Sequence, residues 1–188
     1  MSSYPVQVLQ GLIWVWGEKG QPGSDVAIQA KLKPPRLIDE LSDPKYAGRI
    51  GRIVYNFRDL PYGWDMFMEN VLDPAHVVVS HHGIVGNRYT DPQYISMTRA
   101  LSHSELPVES GGGLLCEYPE DAGFKYIVQP KMASNETISS NDFRPPCLNK
   151  IETYYKNSDS KMILALYATP TKPGYCRHIG AQILIKDE

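Results

Sequence analysis

Apolar and polar positions follow two different periods along this chain, and the change of period divides it. From Tyr4 to Trp16 they alternate and end in Gly-Leu-Ile-Trp-Val-Trp, which predicts two short strands with Gly11 at the turn between them. From Glu18 to Asp43 the run is polar and punctuated by Pro22, Gly23, Pro34 and Pro35, a connecting loop with one extended piece around Val26 to Leu32. Arg52 to Phe57 alternates again as a strand, and Asp59-Leu-Pro-Tyr-Gly63 turns the chain onward. The period then becomes helical. Trp64, Phe67, Met68, Val71, Leu72 and Ala75 recur at spacings of three and four, so one face of a helix can lie on a core. Pro74 kinks that helix or restarts it, with Asp73 as a fresh cap.

Beyond it, Gly83 to Thr90 and Asp91-Pro92 read as loop, followed by a short helix from Gln93 to Leu101. The remainder reads as β-structure. Strands are expected at Glu105 to Glu109, Leu114 to Glu117, Phe124 to Pro130, Cys147 to Lys156, Lys161 to Thr169 and His178 to Lys186. Short turns between consecutive strands imply an antiparallel sheet. The strand pattern begins almost at the first residue and leaves no room for a signal or transit peptide, so either a precursor has been trimmed or none existed, and a fragment of a longer chain is also expected.

Length and charge narrow the classes without choosing one. The 188 residues, 42% of them hydrophobic, suffice for a real core. A net charge of -2 with scattered Lys and Arg gives no reason to expect a nucleic-acid partner. Apolar runs such as Ile163 to Leu166 fall far short of the roughly 20 residues that span a bilayer. Three widely spaced cysteines, Cys116, Cys147 and Cys176, define no disulfide framework and favour a reduced compartment.

The polar face of the central helix carries the candidate chemistry. Glu69, Asp73 and His76 lie on one side of it, and His81 follows. Asp73, His76 and His81 spell D-x-x-H-x-x-x-x-H, and two neutral imidazoles with one carboxylate suit a non-haem Fe(II) site that keeps open positions. Spacing alone is modest evidence, because a histidine on a helix is more often a core or surface residue. His82 is one residue out of register and suits a supporting hydrogen bond. Ser80-His81 is no nucleophile and base, since adjacent side chains diverge. Gly111 to Gly113 lacks the context of a phosphate loop and reads as a hairpin turn. Asn135-Glu-Thr137 is a frequent triplet with no sign of secretion beside it, and His103 reads as solvated.

The words around these residues carry a resemblance. Tyr55-Asn-Phe-Arg-Asp-Leu-Pro-Tyr62, then Glu69-Asn-Val-Leu-Asp-Pro-Ala-His-Val-Val-Val-Ser-His81, resembles the mononuclear-iron segment of Rieske-type non-haem iron oxygenases, most closely the pheophorbide a oxygenase branch of plastids and cyanobacteria. Phe143-Arg-Pro-Pro-Cys147 is similar to a strand entry of that branch, and Pro170-Thr-Lys-Pro-Gly-Tyr-Cys-Arg177 to its P-x-x-P-G-x-x-R turn. Tyr4 to Trp16 resembles the last strands of a Rieske domain.

The resemblance implies a fold, a site and partners. The fold is α+β, a helix-grip (START-like) curved antiparallel sheet around one long helix, preceded by remnant Rieske strands. Its domains are residues 1-17 as that remnant, 18-50 as linker and 51-188 as a partial catalytic domain. His76 and His81 become ligands of a mononuclear Fe(II), Asp73 the catalytic carboxylate bridging from a neighbouring subunit's Rieske histidine, and Asn70 with Glu69 the supporting pair beside them. The substrate is a chlorophyll-derived tetrapyrrole or pigment, and the compartment is the chloroplast, stromal or thylakoid-associated, or a cyanobacterial cytoplasm.

Two departures qualify this. A Rieske cluster needs C-x-H and C-x-x-H, and only Cys176-Arg-His178, in an expected turn, spells the first, so the two-iron two-sulfur cluster is expected not to be bound by this chain. The branch's third iron ligand is an Asp on a C-terminal helix, whereas this sequence ends at Lys186-Asp-Glu188 on a strand. The expectation is a truncated oxygenase domain supplied with electrons by a Rieske-bearing polypeptide. The alternative is a non-catalytic structural subunit of a larger plastid pigment-protein assembly of photosystem type.

Overall fold

The structure, a computed structural model, describes residues 3–33, 35–84, 87–89, 95–99, 123–130 and 137–188. It divides into two compact units, Met1–Lys45 and Tyr46–Glu188. In the first, β1 (Val6–Leu9) and β2 (Leu12–Val15) form the expected hairpin. Gln10 and Gly11 at its tip have φ of 51° and 75°, the doubly left-handed pair that matches a two-residue turn to the strands' twist. The Gln10 amide donates to the Ile38 carbonyl at 2.8 Å and accepts from the Ile38 N–H at 2.9 Å. It thereby satisfies a buried backbone that no strand pairs.

Where an extended piece was expected, Asp25–Leu32 forms helix α1. The reason is local: the Ser24 hydroxyl accepts from the Ala27 N–H, Asp25 sits in the first turn and Lys31 in the last. Cap and charges complement the helix ends and outweigh a weakly amphipathic sequence.

The second unit is an antiparallel sheet of seven strands in the order β3-β9-β8-β7-β6-β5-β4. Its strands are β3 (Ile50–Leu60), β4 (Ile95–Arg99), β5 (Phe124–Pro130), β6 (Thr137–Arg144), β7 (Leu148–Tyr155), β8 (Lys161–Lys172) and β9 (Tyr175–Ile185). Two corrections concern strands. Ile95–Arg99 pairs with β5 instead of forming the helix expected from Gln93 to Leu101. Polar β6 has no hydrophobic alternation to reveal it, yet pairs on both sides. The strands expected at Glu105 to Glu109 and Leu114 to Glu117, the Gly111 to Gly113 hairpin, Cys116, His103 and most of the Asn135 triplet lie outside the described residues.

The expected single long helix is two short ones, α2 (Trp64–Leu72) and α3 (Ala75–Ser80). Pro74 lacks the N–H that would continue the ladder, and the Asp73 carboxylate accepts from the Ala75 N–H at 2.8 Å to start the second helix. α2 packs on β7, β8 and β9. Phe67 and Met68, 8% and 4% exposed, bury against Leu60, Leu166, Ala168 and Cys176. Each contributes about 1.5–3 kcal/mol in removing its side chain from water. Trp64, 39% exposed, stays outside this core. On the opposite face of the sheet Ile163, Ile183 and Ile185 are fully buried.

Cys176-Arg-His178 is a correction of place. It lies inside β9, not in a turn, so Cys176 and His178 share the face toward α2 while Arg177 points away. Arg177 meets Asp59 of β3 through two hydrogen bonds of 2.7 and 2.9 Å. The pair joins the Tyr55–Tyr62 motif to the P-x-x-P-G-x-x-R motif. The Arg177 hydrogen bond and charge hold the Asp59 carboxyl below its ordinary value of 3.8. A depressed carboxyl stabilises the fold above its unfolded value and loses that contribution as pH falls through the folded one. An NMR titration of Asp59 is therefore expected to show a midpoint below 3.8, which returns toward it in Arg177→Gln.

Candidate functional site

The junction of α2 and α3 is where the sheet takes hold of the helices. Pro74 leaves carbonyls at the end of α2 without helical partners, and side chains from the sheet supply them. The Tyr126 hydroxyl of β5 donates to the Leu72 carbonyl, and Asn149 Nδ2 of β7 donates to the Val71 carbonyl at 3.3 Å. Asn149 Nδ2 also donates to Asn141 Oδ1 of β6 at 3.1 Å. Burial raises the Tyr126 phenol, and the Asp73 carboxylate adds to this, so Tyr126 stays a neutral donor. Tyr126→Phe leaves a carbonyl without its partner and is expected to cost about 1–3 kcal/mol in urea unfolding.

These anchors place three of the predicted residues together. His76 Nδ1 pairs with the Asp73 carbonyl oxygen three residues back. That bond makes Nδ1 the protonated nitrogen and leaves Nε2 with its lone pair. The His76 and His81 rings lie 5.3 Å apart between centroids, edge to face. Asp73, His76 and His81 all border one cavity of about 430 Å³, and Asn70 lines it too. Among the described residues, no group of three His, Cys, Asp or Glu side chains converges on a single point.

Two predicted residues lie elsewhere. Glu69 is exposed on α2 and is not part of the cavity wall. His82 turns to the following loop, where its Nδ1 accepts from the Arg88 N–H at 3.1 Å and its ring meets Tyr89 at 5.4 Å.

The floor of the cavity comes from the sheet: Val128, Ile151, Leu164 and Leu166, with Asn141 and Ser139 on one side and His178 on the other. His178 and Asn141 escaped the sequence reading. The His178 ring packs on Phe67 at 4.9 Å between centroids. Burial, with the Arg58 charge beside it, lowers its pKa and keeps the imidazole neutral. The signal was the alternation itself, since placing Cys176 inward places His178 inward as well.

Known proteins resemble this chain in sequence and in fold. A family model described as pheophorbide a oxygenase matches residues 143–186, which run from β6 to the end of β9. The chain is 40% identical over 85 residues to a chloroplastic pheophorbide a oxygenase of Arabidopsis thaliana, covering 45% of this chain and 14% of that protein. It is 26% identical over 185 residues to the chloroplastic flavonoid 8-hydroxylase 2 of Ocimum basilicum, covering 95% of this chain and 32% of that one. The chain thus spans a third or less of the length of these relatives. In fold it is similar to the Pseudomonas putida NdmA structure with theobromine, at a TM-score of 0.62 and 15% identity, over 96% of this chain and 43% of that one. The chain is therefore similar in sequence to pheophorbide a oxygenase over part of its length, and it shares a mostly sheet fold with solved oxygenase structures.

Proposed function

We propose that the second unit is the iron-bearing part of an oxygenase acting on a flat, multi-ring plastid compound, in first place a chlorophyll-derived tetrapyrrole. The observation that carries the reading is the convergence of His76 and His81 on the edge of a mostly apolar cavity. Two imidazoles on one ion, each about 2.1 Å from it through a ring nitrogen, bring their ring centres to roughly 5 Å. The observed pair fits that separation. His76 and His81 would hold a mononuclear Fe(II), and the Asp73 carbonyl fixes the tautomer of His76 so that Nε2 faces outward as a ligand.

Iron held there would supply the centre for dioxygen activation. The protein supplies the rest. Leu164, Leu166 and Ile151 form an apolar floor that would exclude water beneath the substrate, and Asp73, which borders the same cavity, would be the carboxylate between the iron and a neighbouring subunit's Rieske cluster. In this reading the sheet that packs on α2 is the sheet of a helix-grip arrangement. The chloroplast is the compartment, as the names of both relatives state for themselves.

The test is anaerobic reconstitution with ferrous iron followed by metal analysis and an oxygenation assay with a Rieske electron donor. Iron near one per chain supports the reading. Absence of iron from the reconstituted protein overturns it and leaves the assembly-subunit alternative.

A further inference from the structure

The cavity has polar groups at two ends and an apolar middle, and the two ends are far apart on the sheet. His178 sits on β9 and Asn141 on β6, with β8 and β7 between them. Three strand spacings of about 4.8 Å separate them by roughly 14 Å across the sheet, and a four-residue offset in register adds roughly 13 Å along it. Register places Ile151 and Leu164 in line with Asn141, and His178 lies diagonally beyond Leu166. The floor between the two ends is therefore Ile151, Leu164 and Leu166.

Both ends hold unused hydrogen-bonding capacity. His178 Nε2 is buried with no hydrogen-bond partner. An unpartnered buried nitrogen destabilises the protein unless something else satisfies it. The torsion that orients an imidazole is broad and roughly two-fold, so the ring turns at low cost to offer either nitrogen to the space it borders. Asn141 is 5% exposed, and its Oδ1 is already taken by Asn149 Nδ2 at 3.1 Å. That bond orients the amide and leaves its NH2 group as a donor. A single-ring ligand cannot reach both ends, whereas a flat molecule of several fused or linked rings can.

Building on the iron-site reading, the geometry points to His178 and Asn141 as the two recognition residues of this cavity, pairing with oxygens at opposite ends of a flat apolar ligand laid across Ile151, Leu164 and Leu166. The neutral imidazole donates to or accepts from a hydroxyl or carbonyl at one end. The Asn141 amide donates to an oxygen at the other. The edge of the ligand under α3 then faces His76 and His81, so spacing between the two oxygens decides which ring position reaches the histidine pair.

The experiment titrates the full chain with three probes small enough to enter whole: unsubstituted flavone, a flavone with one terminal hydroxyl, and a flavone with a hydroxyl at each end. Tryptophan fluorescence reads the binding. Each hydroxyl is expected to tighten binding up to about tenfold. His178→Phe keeps the ring and its contact with Phe67 but removes both nitrogens. It is expected to abolish the gain from one hydroxyl, read as the ratio to the affinity for unsubstituted flavone in the same variant, and His178→Gln is expected to restore part of that gain. Asn141→Asp, which replaces a donor by an acceptor at nearly the same volume, is expected to remove the gain from the other.

Equal weakening of all three probes in these variants overturns the proposal, as does an unaltered hydroxyl gain or failure of the parent chain to bind any probe. Iron content measured on the same samples separates the two readings. Iron retained with the hydroxyl gain unaffected sinks the recognition role alone, and a hydroxyl gain lost in His178→Phe in protein that never takes up iron sinks the iron reading alone.

Discussion

Alanine in place of both His76 and His81 is expected to lower bound iron from near one per chain to background after anaerobic reconstitution. Each single variant is expected to weaken iron binding by at least about a hundredfold, beyond the ten- to hundredfold typical of removing a mere hydrogen-bonding supporter of a ligand. The two rings stand 5.3 Å apart, and nothing else among the described residues supplies a third imidazole, thiolate or carboxylate to the same point, so neither ring has a substitute. His82→Ala is the internal control. Its Nδ1 is occupied by the Arg88 N–H and its ring by Tyr89, so its loss is expected to leave iron content unchanged. The fold should survive all three changes, because His81 is exposed and His76 only half-buried. Far-UV circular dichroism and the urea midpoint check this directly. Iron retained in the double variant would reject the pair as ligands.

A larger effect on stability is expected on the other face of the sheet. Glu152, 2% exposed, is approached by three lysines: Lys161 at 2.8 Å, Lys125 at 3.3 Å and Lys150 at 3.8 Å. All three lysines are buried as well. Glu152→Leu leaves buried ammonium groups without their shared carboxylate, and breaking a buried pair in this way costs about 3–5 kcal/mol. Against a stability of about 5–15 kcal/mol for an ordinary domain, that is a large share. Glu152→Gln keeps the shape and its carbonyl acceptor and is expected to cost less than Glu152→Leu. Urea unfolding with an unchanged slope is the measurement. Wild-type stability in Glu152→Leu would show that the lysines find other partners at no cost.

These two results probe opposite faces of one sheet, and the faces differed in how plainly they could be read. The helix face was legible. Phe67, Met68, Val71 and Leu72 fall on one side of a helix by their spacing alone, and all four pack on the sheet. The break at Pro74 follows from proline chemistry, and the Asp73 cap needs only the residue before it. Strands such as Phe124–Pro130 were visible because alternating side chains announce a half-buried strand.

β6 was not legible for the opposite reason. Its residues Ser139, Ser140, Asn141 and Asp142 are polar on both faces, and Ser140 Oγ is buried without a hydrogen-bond partner. Ser139 pairs with Thr153 and Asn141 with Asn149, both on β7, while Asp142 accepts from Arg144 of β6 itself. Hydrophobic patterning cannot detect a strand whose partners are hydrogen bonds. Helix α1 was hidden differently, since its cap residue Ser24 sits in a run of Pro and Gly that reads as loop.

What the sequence by itself determined is the chemistry of one segment: a helix with an apolar stripe, a break at Pro74, and two histidines after it in an oxygenase-like motif. Those are local facts, set by spacing of three and four residues and by the missing N–H of proline. What only the tertiary structure decided is which distant residues face that segment. His178 lies 97 positions beyond His81 in the chain, and it reaches the same cavity because antiparallel register sets it opposite Ala168 on the face toward α2. A shift of one residue in that register would turn His178 to the other face. Register is a property of paired strands, and no single strand carries it.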